Sequence, residues 1–174
     1  LLMLSVALAV AALTAVGFLA DRMQSGLWRD ARQLLGGDAV VVSDQRTPDA
    51  FVRQAQAAGL QTNTNVSFPT MARAIKAPDS GTLDVNPPAT RLVALKAVEP
   101  GYPLRGRLEI AGQPAATIPP EGEVWVDAAL LEALNVQVGQ MLGLGERSLR
   151  IAATITREPD RGAGFMAFAP RVMM

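Results

Sequence analysis

The sequence predicts an α+β domain carried on a single membrane-spanning helix. Three observations carry this reading. The first twenty residues, Leu1 to Ala20, hold no charge, and all of the 16 basic and 16 acidic residues follow them. An amphipathic pattern continues from Asp21 to the pair Gly36-Gly37. Beyond it, short apolar stretches of period 2 alternate with stretches of helical period, separated by glycine and proline.

The apolar run is broken only by Ser5, Thr14 and Gly17. As a helix it would be about 30 Å long, the thickness of a bilayer's hydrocarbon core. A cleaved signal peptide and a buried helix of a soluble protein are the competing readings. The first needs a shorter apolar region and small residues before the cut, whereas Phe18 stands three places before Asp21. The second needs a large core around an uncharged helix. Residues 1–20 are therefore assigned to a transmembrane helix.

Residues 21–37 read as an amphipathic stalk. Met23, Leu27, Trp28, Ala31, Leu34 and Leu35 share one face, and Asp21, Arg22, Gln24, Arg29, Asp30 and Arg32 take the other. Gly36-Gly37 ends the helix as a glycine after the last turn does. Trp28 suits a lipid interface or a packing anchor.

Residues 38–174 form the domain. Asp38 to Ser43 is a short strand by its β-branched run. Thr47-Pro48-Asp49 opens a helix, with Thr47 as cap and Phe51, Val52, Ala55 and Ala58 as its apolar stripe, and Gly59 stops it. Val66 and Phe68 mark a second strand, and residues 76–90 a loop. Leu92–Val98 is a mostly apolar strand; Leu108 and Ile110 alternate in a short one; 114–122 is loop. Val124-Trp125-Val126 is a strand feeding a helix capped by Asp127, with Leu130, Leu131 and Leu134 inside. Residues 138–156 are a hairpin turning at Gly145-Glu146-Arg147, in which Leu149, Ile151, Ala153 and Ile155 keep period 2. A mixed sheet with one face covered by two or three helices follows.

Composition narrows the chemistry. Net charge is zero, with no basic patch for nucleic acid. The chain has no cysteine and no histidine. Disulfides, thiolate sites, the commonest general base and the commonest metal ligand are all excluded. What remains for an enzyme is a carboxylate pair, a Ser-Lys dyad on Lys76 or Lys96, or a bound metal held by carboxylates alone. Glu121 with Glu123, or Glu158 with Asp160, would be the acid–base pairs, but charged residues beside proline and glycine are ordinarily solvated. No phosphate loop or nucleophile elbow is present. No catalytic, cofactor or metal residue is assigned.

One segment is unusual. Arg157-Glu158-Pro159-Asp160-Arg161-Gly162-Ala163-Gly164-Phe165 follows the most regular strand with alternating charge, a proline and two glycines. It reads as a solvated turn, or as a rigid charged loop that docks on a partner or on its own domain. Its candidate docking residues are Arg157, Glu158, Pro159, Asp160, Arg161, Gly162, Gly164 and Phe165. Gly26, Gly36 and Gly37 are the candidate hinges of the stalk. The chain begins at Leu1 and stops at Arg171-Val172-Met173-Met174 without a cap, which reads as a piece of something longer.

Several stretches together carry a resemblance: the membrane helix and stalk, Leu35 to Val41, Gly122 to Asp127, Leu131 to Leu134, Val138-Gly139, Leu142 to Gly145, and Thr156 to Phe165. In these the chain resembles FtsX-like ABC transporter permeases of the YbbP-type branch, with their MacB-like periplasmic core domain. The resemblance implies a non-catalytic permease subunit of the bacterial inner membrane with its main domain periplasmic. It also implies a cytoplasmic ATP-binding subunit as partner, the lipid bilayer as surroundings, and mechanotransmission along the stalk. For this branch it implies a hydrophobic or lipid-like cargo and a periplasmic lipase-type partner. The alternatives are a single-pass anchored periplasmic binding or scaffold domain, and an anchored hydrolase using carboxylates.

Overall fold

The period-2 run around Ile151 becomes the strand on which the sheet closes. The computed structural model describes residues 2–75, 88–115, 117–161 and 167–174; the side chains of residues 28–34 lie outside the description. The elements are α1 (Leu2–Leu34), α2 (Asp49–Ala57), β1 (Asn65–Ile75), β2 (Thr90–Val98), β3 (Glu109–Ile110), β4 (Gln113–Pro114), β5 (Glu123–Asp127), α3 (Ala128–Leu134), β6 (Met141–Leu144), β7 (Arg147–Arg157) and β8 (Arg171–Met173).

The sheet is mixed, in the order β4-β3-β7-β5-β8-β2-β1-β6, and β6 also pairs with β7. Six strands, β7, β5, β8, β2, β1 and β6, therefore close into a ring. The β6–β7 hairpin sets Leu142 opposite Leu149. On the far side of β7, β5 runs parallel, with Val124 beside Ile151. The short β8 joins the halves, parallel to β2 and antiparallel to β5.

Alternation decides the two faces. Val93, Leu95, Val124, Val126, Leu142 and Ile151 point inward and are buried, and Leu130, Leu134 and Val136 from α3 and its exit pack against them. Fully burying each such aliphatic side chain contributes about 1.5–3 kcal/mol. On the outer face Tyr102, Leu108, Trp125, Ile155 and Met173 form a second core under the excursion of residues 99–118. The architecture is α+β, as expected.

Several elements differ from expectation. Residues 38–43 form no strand, and Val41 and Val42 are more than four-fifths exposed. A β-branched run has no ladder to join unless a partner lies beside it, and among the described residues none does. Pro48, not Thr47, takes the N-cap position of α2, and no residue of α2 is buried, so its apolar stripe covers nothing of the sheet among the described residues. One helix, α3, packs on the sheet there, rather than two or three. Pro114 sits in β4 at the outer edge, where a missing N–H breaks no ladder. Residues 76–87 of the expected loop lie outside the described residues. The last strand, β8, was not legible as a strand and lies between β2 and β5.

The apolar run and the amphipathic stretch make one helix of 33 residues, with no break at Gly26. Its Leu2–Leu27 portion is long and apolar enough to cross a membrane and none of it is buried against the rest of the chain. Among the described residues it is therefore not a buried core helix.

Candidate functional site

A lone lysine inside an apolar strand must find partners, because an unpaired buried charge is expensive. Lys96 stands on the outer face of β2 between Leu95 and Ala97 and is 4% exposed. Its three donors are all used. Nζ donates to the Tyr102 hydroxyl at 2.8 Å, to Glu158 Oε1 at 3.0 Å and to Asp160 Oδ1 at 2.7 Å. The ammonium also lies 4.3 Å from the centre of the Tyr102 ring.

From Lys96 a chain of ion pairs crosses the domain. Glu158 takes Lys96 on one oxygen and Arg171 Nε on the other at 2.8 Å. Arg171, on β8, donates through its second nitrogen to the Arg161 carbonyl at 3.0 Å. Its backbone N–H donates to Asp127 Oδ2 at 2.8 Å. Asp127 in turn receives both terminal nitrogens of Arg161, with the pairing to Oδ1 at 3.2 Å. Three acids and three bases balance, so the cluster is neutral as a whole.

Tyr102 ties the near end of this chain. Its hydroxyl donates to Asp160 Oδ1 and accepts from Lys96. Burial pushes the phenol well above its ordinary pKa, and the Asp160 hydrogen bond and the charges of Asp160 and Glu158 push it further the same way. At the far end the Asp127 hydrogen bond raises the Arg161 pKa against a smaller desolvation.

The end of the membrane helix rests on the same cluster. Gly36 adopts φ +67°, a left-handed conformation suited to glycine after a last helical turn. A Cβ there would lie 3.1 Å from Asp160 Cβ and Cγ. The Gly36 carbonyl accepts the Arg105 N–H at 2.9 Å, and the Arg105 side chain pairs with Asp38 at 2.9 Å on the surface. The structure thus brings together a candidate hinge and the charged loop that the sequence set 124 positions apart (160 − 36).

The remaining sequence-derived candidates fall as follows. Gly26 is inside α1 with nothing within 4 Å of a built Cβ, and Gly37 is buried beside the Ala39 carbonyl at 3.4 Å. Arg157 pairs at 3.7 Å with Glu109 at the end of β7. Pro159 is half-buried in the loop. Gly162, Gly164 and Phe165 lie outside the described residues. The expectation that Glu158 and Asp160 are solvated is overturned: the Glu158 side chain exposes nothing and that of Asp160 18%. In the described residues the charged loop packs on its own domain.

Among the described residues the catalytic pairings that the sequence offered on Lys96, Glu158 and Glu123 are taken up by ion pairs, and Lys76 lies outside the description. Lys96 is saturated by two carboxylates and a phenol, so it offers no free amine for a Ser-Lys dyad. Glu158 is closed to any substrate, and Glu123 is paired with Arg150. Among the described residues no group of acids could hold a metal ion. Sequence reading missed Tyr102, Arg105 and Arg171, and took Asp127 only for a helix cap. The available signals were the isolated charge of Lys96 in an apolar strand and the acid in a strand end that is otherwise Val-Trp-Val.

A helix long and apolar enough to cross a membrane thus runs into a closed mixed sheet that carries a buried ion-pair cluster. No family model matches the chain. Over 171 residues, 98% of its length, it is 33% identical to the uncharacterized ABC transporter permease YbbP of Escherichia coli (strain K12). It spans about 20% of that protein's length. The identity along almost the whole chain is a likeness to one segment of an ABC transporter permease of that type, and the Leu2–Leu27 helix fits a protein of the membrane.

Proposed function

We propose that the chain belongs to a permease subunit that couples ATP hydrolysis by a separate cytoplasmic subunit to a conformational change outside the membrane. Residues 1–20 cross the bilayer, residues 21–37 form the stalk, and residues 38–174 are a periplasmic core domain of the MacB-like, FtsX-like class. The observation that carries this reading is the hydrogen bond from the Arg105 N–H to the Gly36 carbonyl, which ties the end of the helix to the domain beside Asp160 of the ion-paired loop. A helix that continues from the bilayer to the domain without a flexible linker passes on tilt and translation, whereas a glycine–serine tether would dissipate them. The cargo we favour is hydrophobic or lipid-like, and a periplasmic lipase-type protein is a further partner; both rest on the family resemblance alone.

The test is ATPase activity of the full-length gene product, reconstituted in lipid with its neighbouring ATP-binding subunit, against that subunit alone. Stimulation is expected, and a flexible insertion between Gly36 and Gly37 should abolish the coupling while leaving basal hydrolysis. Absence of a complex and of stimulation would favour an anchored scaffold domain instead.

A further inference from the structure

We infer that the turn at residues 99–105 is the element through which the membrane helix acts on the domain, with Tyr102 as the positioning residue that carries the movement into the buried ion cluster. The inference rests on the reading of α1 as the moving part.

The turn holds on to everything that leaves the helix. Arg105 N–H donates to the carbonyl of Gly36 at 2.9 Å, and the Arg105 guanidinium pairs with Asp38 just beyond. The chain then makes its excursion through α2, which buries none of its residues. On its return it is tied to the same turn. Asn63 Nδ2 donates to the carbonyls of Glu99 and Pro100 at 3.3 and 3.2 Å, and the Thr64 N–H donates to Glu99 Oε2 at 3.1 Å. Both roots of the 38–64 excursion are thus pinned to seven residues.

Those seven residues reach the interior at one side chain. Tyr102 is 8% exposed and packs in the outer-face core with Trp125 and Met173. Its hydroxyl bridges Lys96 and Asp160, the near end of the ion-pair chain that runs through Glu158 and Arg171 to Asp127. Asp127 ends β5 and precedes α3, the helix packed against the inner core. A displacement of the turn therefore repositions a phenol that two charged groups depend on. The closeness of Gly36 to Asp160, where an added Cβ would lie 3.1 Å away, is a second route.

Hydrogen exchange on the purified chain in lipid nanodiscs separates the routes and needs no ATP-binding partner, so its failure leaves the permease reading to its own test. Arg105→Pro removes both the N–H given to the Gly36 carbonyl and the Asp38 pair, so it frees the turn from the helix end without placing an atom against Asp160. Exchange at residues 99–105 and 157–161 should rise roughly tenfold, the equivalent of about 1.4 kcal/mol of local stability. Exchange in β6 and the first half of β7 should not change. In a Tyr102→Phe background the rise should persist at 99–105 and disappear at 157–161. A rise at 157–161 that survives Tyr102→Phe, or no rise at 99–105, overturns the inference. Should Arg105→Pro loosen the β6–β7 hairpin as well, Arg105→Ala, which removes only the Asp38 pair, repeats the test with a milder perturbation.

Discussion

Glu158 lies between two buried cations, accepting Lys96 on Oε1 at 3.0 Å and Arg171 on Oε2 at 2.8 Å, with no side-chain surface exposed. Removing it strands both. Breaking a buried pair from one side typically costs about 3–5 kcal/mol, whereas replacing the pair by apolar groups of similar volume is often near neutral. Glu158→Ala should therefore destabilise the domain by about 3–5 kcal/mol. The double variant Lys96→Met/Glu158→Leu should cost clearly less than the sum of its single changes, because Asp160 and Arg171 keep other partners. Urea unfolding in detergent, followed by Trp125 fluorescence in a Trp28→Phe background, measures both. Additive losses would mean that the two residues act independently.

This cluster marks where the sequence could and could not be read. Strand β7 was legible because its apolar residues recur at the period that the pleat imposes, β2 and β5 because they are short apolar runs, and the hairpin because Gly145 supplies its turn. Strand β8 was not, since three residues carry no period, and Arg171 in it looks like a surface residue. Its place between β2 and β5 depends on contacts with residues 77 and 48 positions earlier (171 − 94 and 173 − 125), which no local pattern encodes. Residues 38–43 erred the other way, a strong β pattern with no neighbouring strand among the described residues. The Arg157–Phe165 segment was legible as unusual. Its direction was not, because alternating charges look alike whether they face water or each other.

Asp127 separates a helix cap from an ion anchor. It occupies the N-cap position of α3 with extended backbone angles, yet its carboxylate makes no capping hydrogen bond and is turned to Arg161 and the Arg171 N–H. If capping were its role, Asn or Ser would serve nearly as well. Because the charge is what Arg161 uses, Asp127→Asn and Asp127→Ser should each cost about 2–3 kcal/mol, as for a hydrogen bond to a charged group. Thermal unfolding of the two variants decides it, and losses of a few tenths would restore the cap.

The three candidate hinge glycines should respond differently to alanine. Gly36 has φ +67° and faces Asp160, so Gly36→Ala combines left-handed strain of about 1–2 kcal/mol with a contact that must give way. A Cβ at Gly37 meets only the Ala39 carbonyl at ordinary contact distance, and the change there should stay within about 0.5 kcal/mol. Gly26 is in open helix, where alanine is favoured by roughly 1 kcal/mol. If bending at Gly26 were needed for coupling, Gly26→Ala would lower partner-stimulated ATP hydrolysis despite the stiffer helix. With the joint at Gly36, Gly26→Ala should leave stimulation intact and Gly36→Ala should reduce it. The ratio of stimulated to basal ATPase activity in reconstituted membranes reads the difference.

Tyr102 is the single tyrosine of the sequence, so its ionisation can be followed without ambiguity. Burial and the Asp160 hydrogen bond raise its pKa in the folded domain. In the unfolded chain it ionises near 10.0, as an ordinary phenol does. A raised folded pKa means that this group's contribution to stability is whole below the unfolded value and declines as pH climbs above it. The slope is about 1.4 kcal/mol per pH unit for one proton. Phenolate absorbance should therefore stay absent from the folded domain past pH 10 and appear only together with cooperative unfolding. Tyr102→Phe should make the alkaline fall of stability shallower by that one proton. A smooth, reversible phenolate titration centred near pH 10 with the fold intact would mean that the hydroxyl is open to solvent and not held between Lys96 and Asp160.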